Sequence, residues 1–242
     1  MKLKQSKSSE PVYRIQALDR ALDILESFSY QNRRQKLSEV ASKTGLNKAT
    51  AKRILAHLTD RGYLSMNPET KRYSLGLRLF ELGGVVHSGF SVRKAAARHM
   101  TELRDRTGMT ILLAQIQDDQ LVYIDKREAS GTVRISSEIG IRRPLHFGML
   151  GQILMAYLPE KEIERLLDTY PLEPYTPNTI TDRDAFSLRL AEIRKWGYLM
   201  EKDEAHQGVM GIAAPIRDWT RRVIASMGVA IPLLENTGKN HL

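Results

Sequence analysis

The chain has 242 residues, 42% hydrophobic and 27% charged, which is enough apolar material for one or two globular cores. It has no cysteine, which excludes disulfides, thiolate metal sites and cysteine nucleophiles and accords with a cytoplasmic protein; no apolar run approaches the ~20 residues of a membrane helix. The net charge of +9 is uneven: residues 1–90 carry 16 Lys and Arg against 8 Asp and Glu, and residues 91–242 carry 21 against 20, so a basic first part suited to a polyanion precedes a nearly neutral second part.

The opening MKLKQSKSSE is polar and basic without an apolar stretch, so residues 1–12 read as a flexible tail, with Lys2, Lys4 and Lys7, and not as a secretory leader. From Arg14 the spacing of Ile15, Leu18, Leu22 and Leu25, with Ala21, Ile24 and Phe28 alongside, predicts a helix that ends at Gln31–Arg34. A second short helix is expected from Ser38 as N-cap through Val40 and Ala41 to Gly45, a residue suited to a left-handed C-cap. Asn47 caps a third, with Ala51, Ile54, Leu55 and Leu58 inward and Gly62 after it. Tyr63–Met66, the turn Asn67–Thr70 and Lys71–Leu75 read as a hairpin. Three helices and a hairpin make a winged helix-turn-helix over residues 13–75. Leu77, Leu79, Phe80 and Leu82 predict a connector helix within 76–90, ending near Gly83-Gly84.

The second domain, 91–242, begins with a helix to Thr107. Strands follow at Thr110–Gln117, Leu121–Lys126 and Thr132–Ser136, with Asp118-Asp119-Gln120 as the turn between the first two. Helices are expected at Gly151–Tyr157, at Glu160–Thr169 and from Asp182 to Trp196, closed by Gly197. Last come strands at Met210–Arg217 and Val223–Pro232. A mixed sheet carrying helices makes the fold α+β.

The second helix of a helix-turn-helix enters the major groove, so its outward face must offer cations for phosphates and small polar groups for base edges. With the apolar stripe inward, that face carries Lys48, Ala49, Thr50, Lys52 and Arg53. Arg53 suits bidentate bonding to guanine, and Thr50 suits a base or a phosphate. Lys71 and Arg72 lie on the wing, where a hairpin can straddle the adjacent phosphates or minor groove, an ordinary polar hairpin being the alternative. A merely solvated charged face is the alternative, opposed by the helix-turn-helix spacing and the wing.

These residues resemble the IclR family of bacterial transcription regulators. The matching segments of the first domain are Arg20-Ala-Leu-Asp-Ile-Leu25, Leu37-Ser-Glu-Val-Ala41, Thr44-Gly-Leu-Asn-Lys-Ala-Thr-Ala51, Arg61-Gly-Tyr-Leu64, Asn67-Pro-Glu-Thr70, Arg72-Tyr-Ser-Leu-Gly76 and Leu82-Gly83. Those of the second are Thr107-Gly108, Pro144-Leu-His146, Gly197-Tyr198, Gly208-Val209 and Ile212-Ala-Ala-Pro-Ile216. Each is weak alone; their order and spacing from residue 13 to residue 232 are specific. The resemblance implies a winged helix domain, a connector helix and a GAF-like effector domain. It also implies dimers that pair into tetramers on a double-stranded DNA operator, and regulation by a small organic effector, with no cofactor.

The departures from the family concern the effector site. After His146 the family has small residues and then Gly-Lys; here stand Gly148-Met149-Leu150-Gly151-Gln152. Gly211 replaces a frequent Cys, Gly228 and Ala230 replace serines, and the acidic position is kept as Glu201. A site of Met149, Leu150, Glu201, Val209, Met210, Gly211, Gly228 and Ala230 is expected to be apolar and roomy, suited to a larger effector such as an aromatic or apolar acid. The chain ends at Leu242, before the C-terminal helix that the resemblance leads one to expect, so an altered pocket wall or interface is anticipated. Two alternatives stay open: a filled domain serving oligomerisation alone, and an enzyme. For the second no nucleophile elbow, phosphate loop or paired acids is found, His146 and His206 lack partners at metal-ligand spacing, and Glu201, Asp203, Glu204 and His206 read as a solvated acidic loop.

Overall fold

The computed structural model describes residues 15–88, 91–129 and 137–233, and its contacts divide the chain into two units, Met1–Gly89 and Phe90–Leu242. The tail expected over 1–12 and the strand expected over Thr132–Ser136 lie outside the described residues.

In the first unit, helix α1 (Gln16–Glu26) buries Ile24, with Phe28 just beyond its end, while Ile15, Leu18 and Leu22 stay exposed. A two-residue strand missed by the sequence reading, β1 (Gln35–Lys36), leads directly into α2 (Leu37–Thr44). Ser38 is not the cap of α2. The helix begins one residue earlier, and the carboxylate of Glu39 accepts the Lys36 N–H at 2.7 Å, which satisfies an amide at the helix start. Gly45 closes α2 at φ 68°. Helix α3 (Lys48–Asp60) follows, then β2 (Leu64–Met66) and β3 (Arg72–Leu75), in a sheet of order β1-β3-β2. Ile24, Phe28, Val40, Leu55, Leu58 and Leu64 form the core. Helix α4 (Leu77–Ser88) runs through Gly83-Gly84 instead of ending there. Neither glycine has the positive φ of a C-cap, so the pair only weakens the helix, by roughly 1 kcal/mol each relative to alanine.

The second unit begins with α5 (Ser91–Thr107), ended by Gly108 at φ 68°. Strands β4 (Thr110–Gln117) and β5 (Gln120–Arg127) are joined by Asp118 and Asp119, both at positive φ as a tight hairpin turn requires. Gln120, expected in the turn, already pairs with Gln117. Strand β6 (Arg142–Pro144) and helices α6 (Gly148–Met155), α7 (Glu160–Thr169) and α8 (Arg183–Trp196) come next. Asp182 caps α8 by accepting the Ala185 N–H at 2.9 Å. Strands β7 (Leu199–Lys202), β8 (Val209–Arg217) and β9 (Val223–Pro232) complete the sheet, in the order β6-β5-β4-β9-β8-β7. Every pairing in it is antiparallel, which corrects the expected mixed sheet. One face packs on α6–α8, and the other carries the cluster around Val92, Ala96 and Met100 of α5. A bulge at Ile124 turns Asp125 toward α5, where Arg93 lies 3.1 Å away, while Tyr123 keeps the α6 side.

Candidate functional site

In the first unit the sequence builds a helix with one face free. Gly45 and Leu46 turn the chain, and the Asn47 side chain accepts the Thr50 N–H at 2.8 Å, which fixes where α3 starts. Ala51, Leu55 and Leu58 are buried and Ile54 half-buried. Opposite them Lys48, Ala49, Lys52 and Arg53 are exposed and Thr50 is half-buried. Lys48, Lys52 and Arg53 have no acidic partner among the described residues, so the helix presents three uncompensated cations in its first two turns.

The wing turn is held by Asn67, whose side chain accepts the N–H groups of Glu69 and Thr70 at 3.0 and 2.8 Å. Lys71 is exposed at φ 52°. Arg72 is less free than expected of a wing cation. Its guanidinium donates to the Arg34 carbonyl at 3.2 Å and pairs with Glu39 at 3.3 Å, tying the wing to the start of α2. The Lys36 amide first, and Arg72 after it, hold the Glu39 carboxyl below the usual range.

In the second unit α6 lies across the sheet, and a cavity of about 30 Å³ is left beneath its start. Met149, Leu150, Glu201, Val209, Gly211 and Ala230 line it as expected. Met210 does not. Strand alternation turns Val209 and Gly211 to the cavity and Met210 away. Helix α6 starts at Gly148, three residues earlier than expected, and this places Met149 over the strands. A Cβ on Gly211 would collide with the Met149 sulfur, and one on Gly228 would come within 3.0 Å of Met149 Cε. The room left by Gly211 is therefore taken by the Met149 thioether, and that at Gly228 by the Ile212 carbonyl, Ala213 and Met149 together, which corrects the expected open pocket. Leu112, Tyr123, Ser137, Phe147, Gly148, Ala205 and His206 complete the lining and were not among the expected site residues. The alternation of β4 and β5 contains the signal for Leu112 and Tyr123; the loop residues carry none.

Of the titratable groups at and beside this cavity, burial raises Tyr123 and Tyr175 and lowers His206, and two more are shifted further. Burial first, and the charge of Glu204 second, push the Glu201 carboxyl up to about 7, against the Met149 amide and Arg189. One of its oxygens, Oε2, is buried without a hydrogen-bond partner. Burial lowers His146 to about 4, so its ring is neutral at pH 7, with Nε2 3.4 Å from the Tyr175 hydroxyl. Phe147 stands edge-on to Tyr175 and His206, at 4.7 and 5.5 Å, and Arg143 lies over its ring at 5.2 Å.

The acidic loop is not a solvated one. Glu201 is buried, Glu204 forms two bonds to Arg189 at 3.0 and 3.1 Å, and Asp203 accepts the Gly208 N–H at 2.6 Å. Among the described residues no group of three or more His, Asp or Glu is placed to hold a metal.

The family model described as the IclR helix-turn-helix domain matches residues 17–68, and that of the bacterial transcriptional regulator IclR C-terminal domain matches residues 85–241. The HTH-type transcriptional regulator XynR of Escherichia coli is 36% identical over 216 residues, 89% of this chain and 86% of that protein. The HTH-type regulator KdgR of the same organism is 31% identical, over 82% of this chain and 75% of its own length. Among solved structures, an IclR transcriptional regulator from Alicyclobacillus acidocaldarius superposes with a TM-score of 0.79 at 29% identity, covering 91% of this chain and 89% of that one. An IclR homologue from Microbacterium hydrocarbonoxydans, solved with 4-hydroxybenzoate, gives 0.80 at 26% identity and covers 90% of each chain.

Proposed function

The chain belongs to the IclR family of bacterial transcriptional regulators, and from that premise we propose a cytoplasmic repressor or activator that binds a specific duplex operator and answers to a small organic effector. Lys48, Ala49, Thr50, Lys52 and Arg53 read the major groove, and Lys71 and Arg72 hold flanking phosphate. The observation that carries this reading is the capped helix α3 with its three unpaired cations outward. Its relatives are regulators, which favours regulation over catalysis for this chain.

Dimers, paired into tetramers on DNA, follow from the family reading. The exposure of Leu18 and Leu22 on α1, and of Leu77 and Phe80 on α4, supports them, because apolar surface of this kind is more stable covered. The effector is proposed to be an aromatic or apolar acid that displaces the Met149 thioether from its seat over Gly211 and Gly228 and meets Glu201. Methionine suits this role because its unbranched chain rearranges readily. The homologue solved with 4-hydroxybenzoate supports the ligand class. The unit then shifts the DNA-binding domains through residues 76–90, to the extent that the effector prefers one arrangement.

Fluorescence anisotropy against the duplex upstream of its own gene and a scrambled duplex, across a salt series, tests operator binding. Tighter, salt-sensitive binding to the native duplex is expected; no binding at low salt overturns the reading. The cavity of about 30 Å³ favours a second reading, a filled domain that serves oligomerisation alone. Melting with 4-hydroxybenzoate and with glyoxylate separates the two. Stabilisation by the aromatic acid supports displacement of Met149, stabilisation by glyoxylate alone refutes the apolar site, and no shift with either supports the filled domain.

A further inference from the structure

The wing sheet has two faces, and only one is used by the core. Gln35 is buried and Leu64 belongs to the core cluster, with Tyr73 packed against it. The register pairs Gln35 with Tyr73 and Ser65 with Ser74, so Arg34 precedes the β1–β3 pairing at the level of Ser74. Alternation then sets Arg34, Ser74 and Ser65 in one row across the three strands on the outer face, with Arg72 beside them. These residues, with Asn67 and Thr70, line a trough of about 340 Å³.

The contents of this trough match one chemistry. Arg34 is exposed and has no acidic partner among the described residues. Arg72 forms a fixed rim, because the Arg34 carbonyl and Glu39 hold its guanidinium. The hydroxyls of Ser65, Ser74 and Thr70 take no protein partner among the described residues, and the two facing serines make no cross-strand bond that would explain them as sheet stabilisers. Their small size keeps the floor low between two arginines. A guanidinium set above free hydroxyls is what a phosphate diester oxygen needs. The sheet is also continuous with α3, since β2 begins four residues after its end.

We propose that this outer wing face is a second DNA-backbone site, in which Arg34 neutralises a phosphate flanking the operator and Ser65 and Ser74 donate to its oxygens. The proposal rests on the DNA-binding reading above and adds to it a contact that is blind to sequence.

Full-length Arg34→Gln and Ser65→Asp test it by anisotropy on the upstream and scrambled duplexes, from about 50 to 200 mM salt, with circular dichroism to verify folding. One phosphate contact contributes about 0.9 to the slope of log affinity against log salt. Arg34→Gln is therefore expected to lower that slope by about one and to weaken both duplexes by the same factor. Ser65→Asp, which puts a carboxylate in the trough, is expected to weaken both as well. Unchanged slopes in both variants overturn the proposal. So does a loss on the upstream duplex alone, which makes Arg34 a base reader. Wild-type protein without salt-sensitive binding overturns the DNA reading itself, and this site with it.

Discussion

Met149 and Gly211 share one place: the methionine sulfur lies where a side chain on residue 211 would begin. Gly211→Ala alone must therefore push Met149 off its seat, an overpacking expected to cost about 1–3 kcal/mol. Met149→Ala alone leaves a cavity and costs about 2–5 kcal/mol. The double variant is expected to be more stable than the sum of the two losses implies, because each change removes the other's partner. Urea unfolding of the four proteins closes this cycle. Additive losses would mean that the two residues do not meet.

The Glu201 carboxyl, pushed up to about 7, gives stability a pH dependence of known sign. Its ordinary value is 4.5, so between 4.5 and 7 the folded state holds a proton that the unfolded state has lost. Its contribution is then lost as pH rises through that window, in total on the order of 3 kcal/mol. His146 acts in the opposite sense. Its folded value of about 4 lies below 6.5, so its stabilising neutral form is lost as pH falls through that range. The difference between wild type and Glu201→Gln isolates the first effect. The variant should gain on wild type from pH 5 to about pH 7.5 in urea unfolding, with the gain levelling off above.

Much of this arrangement is legible in the sequence, where local chemistry decides. Asn47, Asp182, Gly45 and Gly197 end or begin helices by bonds within four residues of themselves, and the structure places all four as read. The failures lie where distant residues decide. Strand β1 is two residues long and exists because β3 pairs with it, which no periodicity announces. The Gly83-Gly84 pair reads as a stop, yet without a left-handed residue the helix continues. Of the small residues Gly211, Gly228 and Ala230, the first and last line the cavity and Gly228 does not. That Met149 fills the space at Gly211 and closes over Gly228 depends on α6 starting at Gly148, which sets the methionine above β8 and β9.

The exposed apolar residues of the first unit predict how assembly fails. Phe80 on α4 is 78% exposed and Leu22 on α1 is 46% exposed, and neither belongs to a core cluster. A charge at either place costs the folded monomer little, whereas a charge buried in an interface without a partner is strongly unfavourable. Leu22→Glu and Phe80→Glu are expected to reduce the dimer population, and with it operator affinity, while helical content is unchanged. Light scattering coupled to size exclusion reads the first effect directly. Dimers of undiminished mass in both variants would place the interface elsewhere.

The face of α3 predicts a split between two kinds of cation. Arg53 lies in the second turn of α3, exposed and unpaired, where its planar fork can meet two acceptors of a guanine at once. Lys48 and Lys52 carry a compact charge suited to phosphate. Arg53→Ala is expected to cost about 1–3 kcal/mol on the upstream duplex and much less on a scrambled one, because the scrambled duplex never offered the base contact. Lys52→Ala is expected to weaken both duplexes alike and to lower the salt slope by about one. Competition anisotropy with both duplexes measures the two signatures in one experiment. If Arg53→Ala weakens both duplexes equally, Arg53 is a phosphate contact and base reading falls to Thr50 and its neighbours on the same face.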